Sequence, residues 1–151
     1  MKIQDILSAD SVWVEKNVLP KKKMLEKMSH LAAEKTGLAE TVILDALIER
    51  ERLGTTGIGR GVALPHSPIP KLKKIFCAFV KSAPMDFEAT DKRPVEFLFL
   101  LLVPQNAGAD HLKALAKLSR LLRNETALEK MKKSELPKEL YKIIIDNDLD
   151  E

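Results

Sequence analysis

Residues 95–103 are apolar at every position except Glu96. Side chains on a strand alternate between two faces, so a strand with one wet face does not carry such a run. This strand must be covered on both sides. Residues 75–80 read the same way, and amphipathic helical patterns lie before and after the pair. The expected fold is α/β: a mixed, mostly parallel β-sheet sandwiched between α-helices, in a single domain over 1–151. The longest unbroken apolar stretch, Phe97 to Val103, has seven residues, far short of the ~20 that a membrane-crossing helix needs, so no membrane insertion is expected.

The helices carry their own punctuation. Over 22–36, Met24, Leu25, Met28, Leu31 and Ala32 form one stripe, with Pro20 near the start and Gly37 at the end. Over 40–52 the stripe is Val42, Ile43, Ala46 and Leu47. Leu44 and Ile48 lie off it, which predicts a helix buried on two sides. A polar loop at 105–109 leads into a Leu-rich helix over 110–123, and two shorter helices are expected near 126–132 and 138–145. A short strand is expected at 62–64, and the acidic tail 146–151 is expected to fray.

Charge and cysteine content narrow the function classes. With 45% hydrophobic residues the chain can build a core and is not disordered. The 25 Lys and Arg against 22 Asp and Glu leave a formal charge of +3, too small and too evenly spread for nucleic acid as the main partner. Cys77 is alone and cannot form an internal disulfide. Lys2, Gln4 and Asp5 interrupt the first ten residues where a secretory signal needs an apolar stretch. A cytoplasmic location is expected. The clusters Lys21 to Lys23 and Lys71, Lys73, Lys74 read as solvated surface, although the second, near His66, suits an acidic protein partner.

Four of the six glycines fall within Gly54-Thr55-Thr56-Gly57-Ile58-Gly59-Arg60-Gly61. Glycine lets a main chain take positive φ or approach a neighbour closely, so this is a tight, shaped loop. It runs into Pro65-His66-Ser67-Pro68-Ile69-Pro70, where three prolines stiffen the chain around one histidine. The loop is not a Walker A site, because Arg60-Gly61 stands where Lys and Ser or Thr are required, and its glycines do not give G-x-G-x-x-G. No nucleotide site follows. His66 and His111 lack a third ligand at metal-binding spacing, so neither metal nor cofactor is expected. Cys77, inside an apolar strand, reads as an inert buried thiol.

The histidines separate on helical wheels. His30 lies off its stripe, toward the polar flank, and should be exposed. His111 falls within about 40° of the centre of the stripe Leu112, Leu115, Leu118, Leu122, at the first turn of its helix. It is either a core histidine satisfied by a carbonyl, or a ring placed beside an anion at the helix's positive end. Arg50 lies at about 80° where its stripe averages about 70°, with Val42 set at 0°. Either it snorkels past the stripe or pairs with a carboxylate, or it serves an anion just past Leu53, where the glycine loop begins.

At Leu53-Gly54-Thr55-Thr56-Gly57-Ile58-Gly59-Arg60-Gly61-Val62-Ala63-Leu64-Pro65-His66 the chain resembles the fructose/mannitol-class enzyme IIA proteins of the bacterial phosphoenolpyruvate-dependent phosphotransferase system. The shared pattern is T-G-I-G-x-G-x-A-x-P-H, and the similarity extends to Asp110-His111-Leu112-Lys113-Ala114-Leu115. With no transporter or carrier domain attached, the chain looks most like the stand-alone nitrogen-related regulatory branch. The resemblance implies that His66 accepts a phosphoryl group, as a tele-phosphohistidine, from an HPr-like carrier protein. It implies that His111 and Arg50 surround that group, and that Gly54, Thr55, Thr56, Gly57, Gly59 and Gly61 form the loop beside it. The implied partners are transporters or sensor kinases under regulation, or an enzyme IIB. Ser67 departs from the glycine often found after this histidine in the family, and His30 matches no family site.

Overall fold

Six strands build one sheet in the computed structural model, which describes residues 1–149: Leu7–Glu15 (β1), Gly57–Gly59 (β2), Val62–Ala63 (β3), His66–Ile69 (β4), Phe76–Met85 (β5) and Val95–Pro104 (β6). The apolar β6 lies inside the order β1-β5-β6-β3-β2, and β4 also pairs with it. Its alternation divides the core in two. Phe97, Phe99, Leu101 and Val103 pack to one side, Leu98, Leu100 and Leu102 to the other, and none is more than 1% exposed.

Helices Lys21–Thr36 (α1) and Glu40–Arg52 (α2) cover the second of these faces. Ala109–Leu122 (α3), Glu125–Lys132 (α4) and Pro137–Asp146 (α5) cover the first. Three of the five strand pairings, β1–β5, β3–β6 and β4–β6, are parallel, while β2–β3 and β5–β6 are antiparallel. The mixed, mostly parallel sandwich read from the sequence is the observed architecture. Among the described residues no helix is long and apolar enough to cross a membrane.

Three strands lay outside the sequence reading. β1 was hidden because its register shifts between Leu7 and Val12, leaving Ser8, Ala9 and Asp10 exposed and breaking the alternation. β2 is Gly-Ile-Gly, against strand propensity. β4 contains Pro68, which is tolerated because this strand lies at an edge. Leu101 N–H donates to the Pro65 carbonyl at 3.0 Å, so by alternation Ser67 and Ile69 turn their backbone groups toward β6. His66 and Pro68 turn theirs away from the sheet.

Other expectations shift in detail. β5 continues past Val80 through Lys81, which is buried because its ammonium reaches the Lys132 carbonyl at 3.1 Å, the Ser134 carbonyl at 2.6 Å and the Glu135 carboxylate at 2.9 Å. Cationic capping of a helix's last carbonyls is favourable. Val42 is 41% and Leu112 69% exposed, so neither belongs to its helix's buried face, which centres on Ile43 and Leu47 in α2 and on Leu118 and Leu122 in α3. Leu44 and Ile48 are half-buried. The tail is anchored rather than frayed. The Asp148 carboxylate accepts the Ile3 N–H at 2.7 Å and lies 2.9 Å from the Lys117 ammonium. The rest of the acidic tail, 150–151, lies outside the described residues.

Candidate functional site

The last turn of α2 sets the entrance to the glycine loop. Leu53 N–H bonds the Arg50 carbonyl at 3.2 Å and Gly54 N–H bonds the Glu51 carbonyl at 3.1 Å, which closes the helix. Beyond it, β2 runs close beneath the segment 86–94. A Cβ added at Gly57 would lie 2.9 Å from the Ala89 Cα, so only glycine allows this approach. Arg60 and Gly61, at φ +60° and +81°, make the two-residue turn that folds β3 back on β2. Thr90 N–H to the Gly57 carbonyl at 3.1 Å and Arg60 N–H to the Asp91 carboxylate at 2.9 Å hold the two layers together.

His66 opens β4 on the far side of that hairpin. Its Nδ1 lies 2.8 Å from the Leu64 carbonyl oxygen. A carbonyl only accepts, so Nδ1 carries the proton and donates it. This leaves the Nε2 lone pair as the ring's nucleophile. His111, in the first turn of α3, stands edge-on to it, with ring centroids 6.0 Å apart and planes at 63°. The His111 Nε2 is buried and has no hydrogen-bond partner among the described residues.

Arg50 donates from Nη1 to the Gly54 carbonyl at 2.9 Å. Burial first, opposed by the bond to the Leu64 carbonyl, then the charges of Arg50 and His111, hold the His66 imidazole below its ordinary pKa. Glu51 pulls weakly the other way. The ring is therefore neutral, with its lone pair available, at neutral pH.

The structure thus brings His66, His111 and Arg50 into one electrostatic neighbourhood. The hydroxyls of Thr55 and Thr56 are engaged within the loop: the Thr55 hydroxyl donates to the Phe87 carbonyl at 3.2 Å, and the Thr56 hydroxyl donates to Glu51. Both shape the loop from behind. His30 is exposed, as read, and Cys77 is fully buried, which pushes its thiol far above the ordinary range. Two residues were missed. Lys21, read as solvated surface, is a largely buried partner of Glu51 at 2.9 Å, and Glu51 itself, next to Arg50, was passed over. The only signal was its position five residues before Thr56, at the end of a helix.

A cavity of about 620 Å³ lies elsewhere, between Arg60, Arg93, Glu125 and Lys132, where Arg60 is already paired with Glu125 at 2.9 Å. No three His, Cys, Asp or Glu side chains gather as a metal would require among the described residues.

A mixed, mostly parallel α/β sandwich with a histidine pair beside a glycine-rich hairpin defines a class. The family model for "phosphoenolpyruvate-dependent sugar phosphotransferase system, EIIA 2" matches residues 5–147, and the chain belongs to that family. A nitrogen regulatory protein of Bradyrhizobium diazoefficiens is 43% identical over 145 residues, spanning 95% of this chain and 95% of that one. A fructose-specific EIIA component from Haloferax volcanii is 45% identical over 93 residues, 61% of this chain and 60% of that one. The crystal structure of nitrogen regulatory protein IIA-Ntr from Neisseria meningitidis matches with a TM-score of 0.87 at 32% identity, covering 94% of this chain and 98% of that one.

Proposed function

We propose that this chain is a cytoplasmic phosphocarrier in which His66 Nε2 accepts a phosphoryl group from the phosphohistidine of an HPr-like protein. Its phosphorylation state then regulates partner proteins such as transporters or sensor kinases, in nitrogen-related control. The observation that carries this reading is the pairing of two imidazoles. One has Nδ1 tied to the Leu64 carbonyl, so that Nε2 can react. The other presents beside it a buried Nε2 with no hydrogen-bond partner among the described residues.

In the transfer, the P–N bond to the donor ring breaks and leaves its electron pair on the donor nitrogen, while the His66 Nε2 lone pair forms the new P–N bond. Such a reaction asks mainly for positioning and charge stabilisation. His111 donates a hydrogen bond to a phosphoryl oxygen. Arg50, whose partner at Gly54 is only a neutral carbonyl, supplies the positive charge. Leu53 and Leu112, 85% and 69% exposed, stand beside Gly54 and His111 and offer apolar surface to a docking protein. The near full-length similarity to a nitrogen regulatory protein supports the regulatory role.

Incubation with phosphoenolpyruvate, enzyme I and an HPr-like protein should give acid-labile, base-stable phosphate on the wild type and none on His66→Ala. Persistent labelling of His66→Ala would refute the site. Arg50→Met and His111→Ala should fold normally and label more slowly. A second reading, a sugar-specific enzyme IIA that passes its phosphate to a separate enzyme IIB, is favoured by the Haloferax match. Transfer of label from this chain to an enzyme IIB domain would select it. Unaltered partner regulation by His66→Ala would instead mark a binding module whose role needs no transfer.

A further inference from the structure

Behind the reacting ring runs a continuous set of hydrogen bonds that ends on a buried ion pair. His66 Nδ1–H donates to the Leu64 carbonyl at 2.8 Å. Leu64 N–H donates to the Thr56 carbonyl at 3.0 Å. Thr56 in turn donates its N–H, at 3.1 Å, and its hydroxyl to the Glu51 carboxylate. That carboxylate, with a side chain only 7% exposed, lies 2.9 Å from the Lys21 ammonium.

We infer that Glu51 is a positioning residue for the transfer, holding Thr56, and through it Leu64, so that the Leu64 carbonyl fixes which His66 nitrogen keeps the proton. The inference rests on the phosphocarrier reading above for its consequence, but not for its geometry. A buried carboxylate is costly unless its oxygens are satisfied, so one that holds two donors of a single residue and an ammonium leaves that residue little freedom.

Lys21 is fixed as well, lying 4.7 Å from the centre of the Phe87 ring, whose own carbonyl accepts the Thr55 hydroxyl. The first residue of α1, the last turn of α2 and the segment 86–94 therefore converge on Thr55 and Thr56. None of them touches the reacting nitrogen. Their common effect on it is the tautomer: with the Leu64 carbonyl displaced, the proton moves to Nε2 and blocks the lone pair.

The test reads the tautomer directly, from ¹⁵N chemical shifts of the His66 ring in the full chain at a pH where the ring is neutral. The variants are Glu51→Gln, Lys21→Met and Thr56→Val, each checked for folding by thermal unfolding. Wild type should show the Nδ1–H form. The folded variants should gain the Nε2–H form and accept phosphate from a phosphorylated HPr-like protein about tenfold to a hundredfold more slowly, with the KM for the donor unchanged. Folded variants that keep the wild-type tautomer would overturn the inference, even if they are less stable, because that result describes a merely structural ion pair. If Glu51→Gln does not fold, the other two variants decide. A wild type that takes no phosphate would defeat the phosphocarrier reading, while the ring shifts would still judge Glu51.

Discussion

His30 lies on the surface of α1 with its ring nitrogens 2.8 Å from Glu40 and 2.7 Å from Glu34. The bond to Glu40, followed by that group's charge, raises its pKa above the ordinary histidine value. His66 is shifted the other way, chiefly by burial. In an NMR titration His30 should therefore protonate above, and His66 below, the usual ~6.5. The signs for stability are opposite. His30's contribution is fully present below its unfolded pKa and is lost as pH rises through the folded one. The folded state disfavours protonated His66, so its contribution is present above the unfolded pKa and declines as pH falls through the folded one. A His66 that titrates with or above His30 would contradict this environment. At this scale Arg50 and His111 were legible from periodicity, because a polar residue on an apolar line is an anomaly that a wheel exposes. Glu51 was not, because a glutamate in a helix's last turn is ordinary, and its burial depends on Lys21 arriving from another helix.

Among the elements, the β2–β3 hairpin is the least forgiving. Its neighbour at Gly57 is backbone, the Ala89 Cα at 2.9 Å, which cannot rotate aside as a side chain tip would. Gly57→Ala should lower stability by about 1–3 kcal/mol in urea unfolding and slow phosphorylation together with it. An unchanged midpoint would show that the two layers are looser than drawn. The boundaries of α2 were read without error because stripe, breaker and length agreed. β2 and β4 were invisible for a physical reason: their residues are chosen for close approach and for an edge position, and both are properties of neighbours that local propensity does not register.

Across the whole molecule, the chain's two ends meet at one buried carboxylate. Asp148 binds the Ile3 N–H and the Lys117 ammonium, and the side chains of the ion pair are only 7% and 10% exposed. Asp148→Ala removes the acceptor of the Ile3 N–H and a carboxylate from the Lys117 ammonium, so it should lower stability by about 1–3 kcal/mol by chemical denaturation. The rate of phosphate uptake should remain wild-type wherever the variant is folded. The layered architecture could be read in advance because β6 demanded cover on both faces. The clasp could not, since an acidic tail looks the same whether it hangs in water or closes on a distant lysine.

Pro68 turns a position without a hydrogen-bond donor outward, two residues after His66 begins its strand. A visiting strand that continued the sheet past His66 would find a proline ring in place of a hydrogen at the next outward rung. Side-chain contact with the imidazole is thereby favoured over a lengthening of the sheet. The rim beside that ring thus resists being spliced to a passing strand.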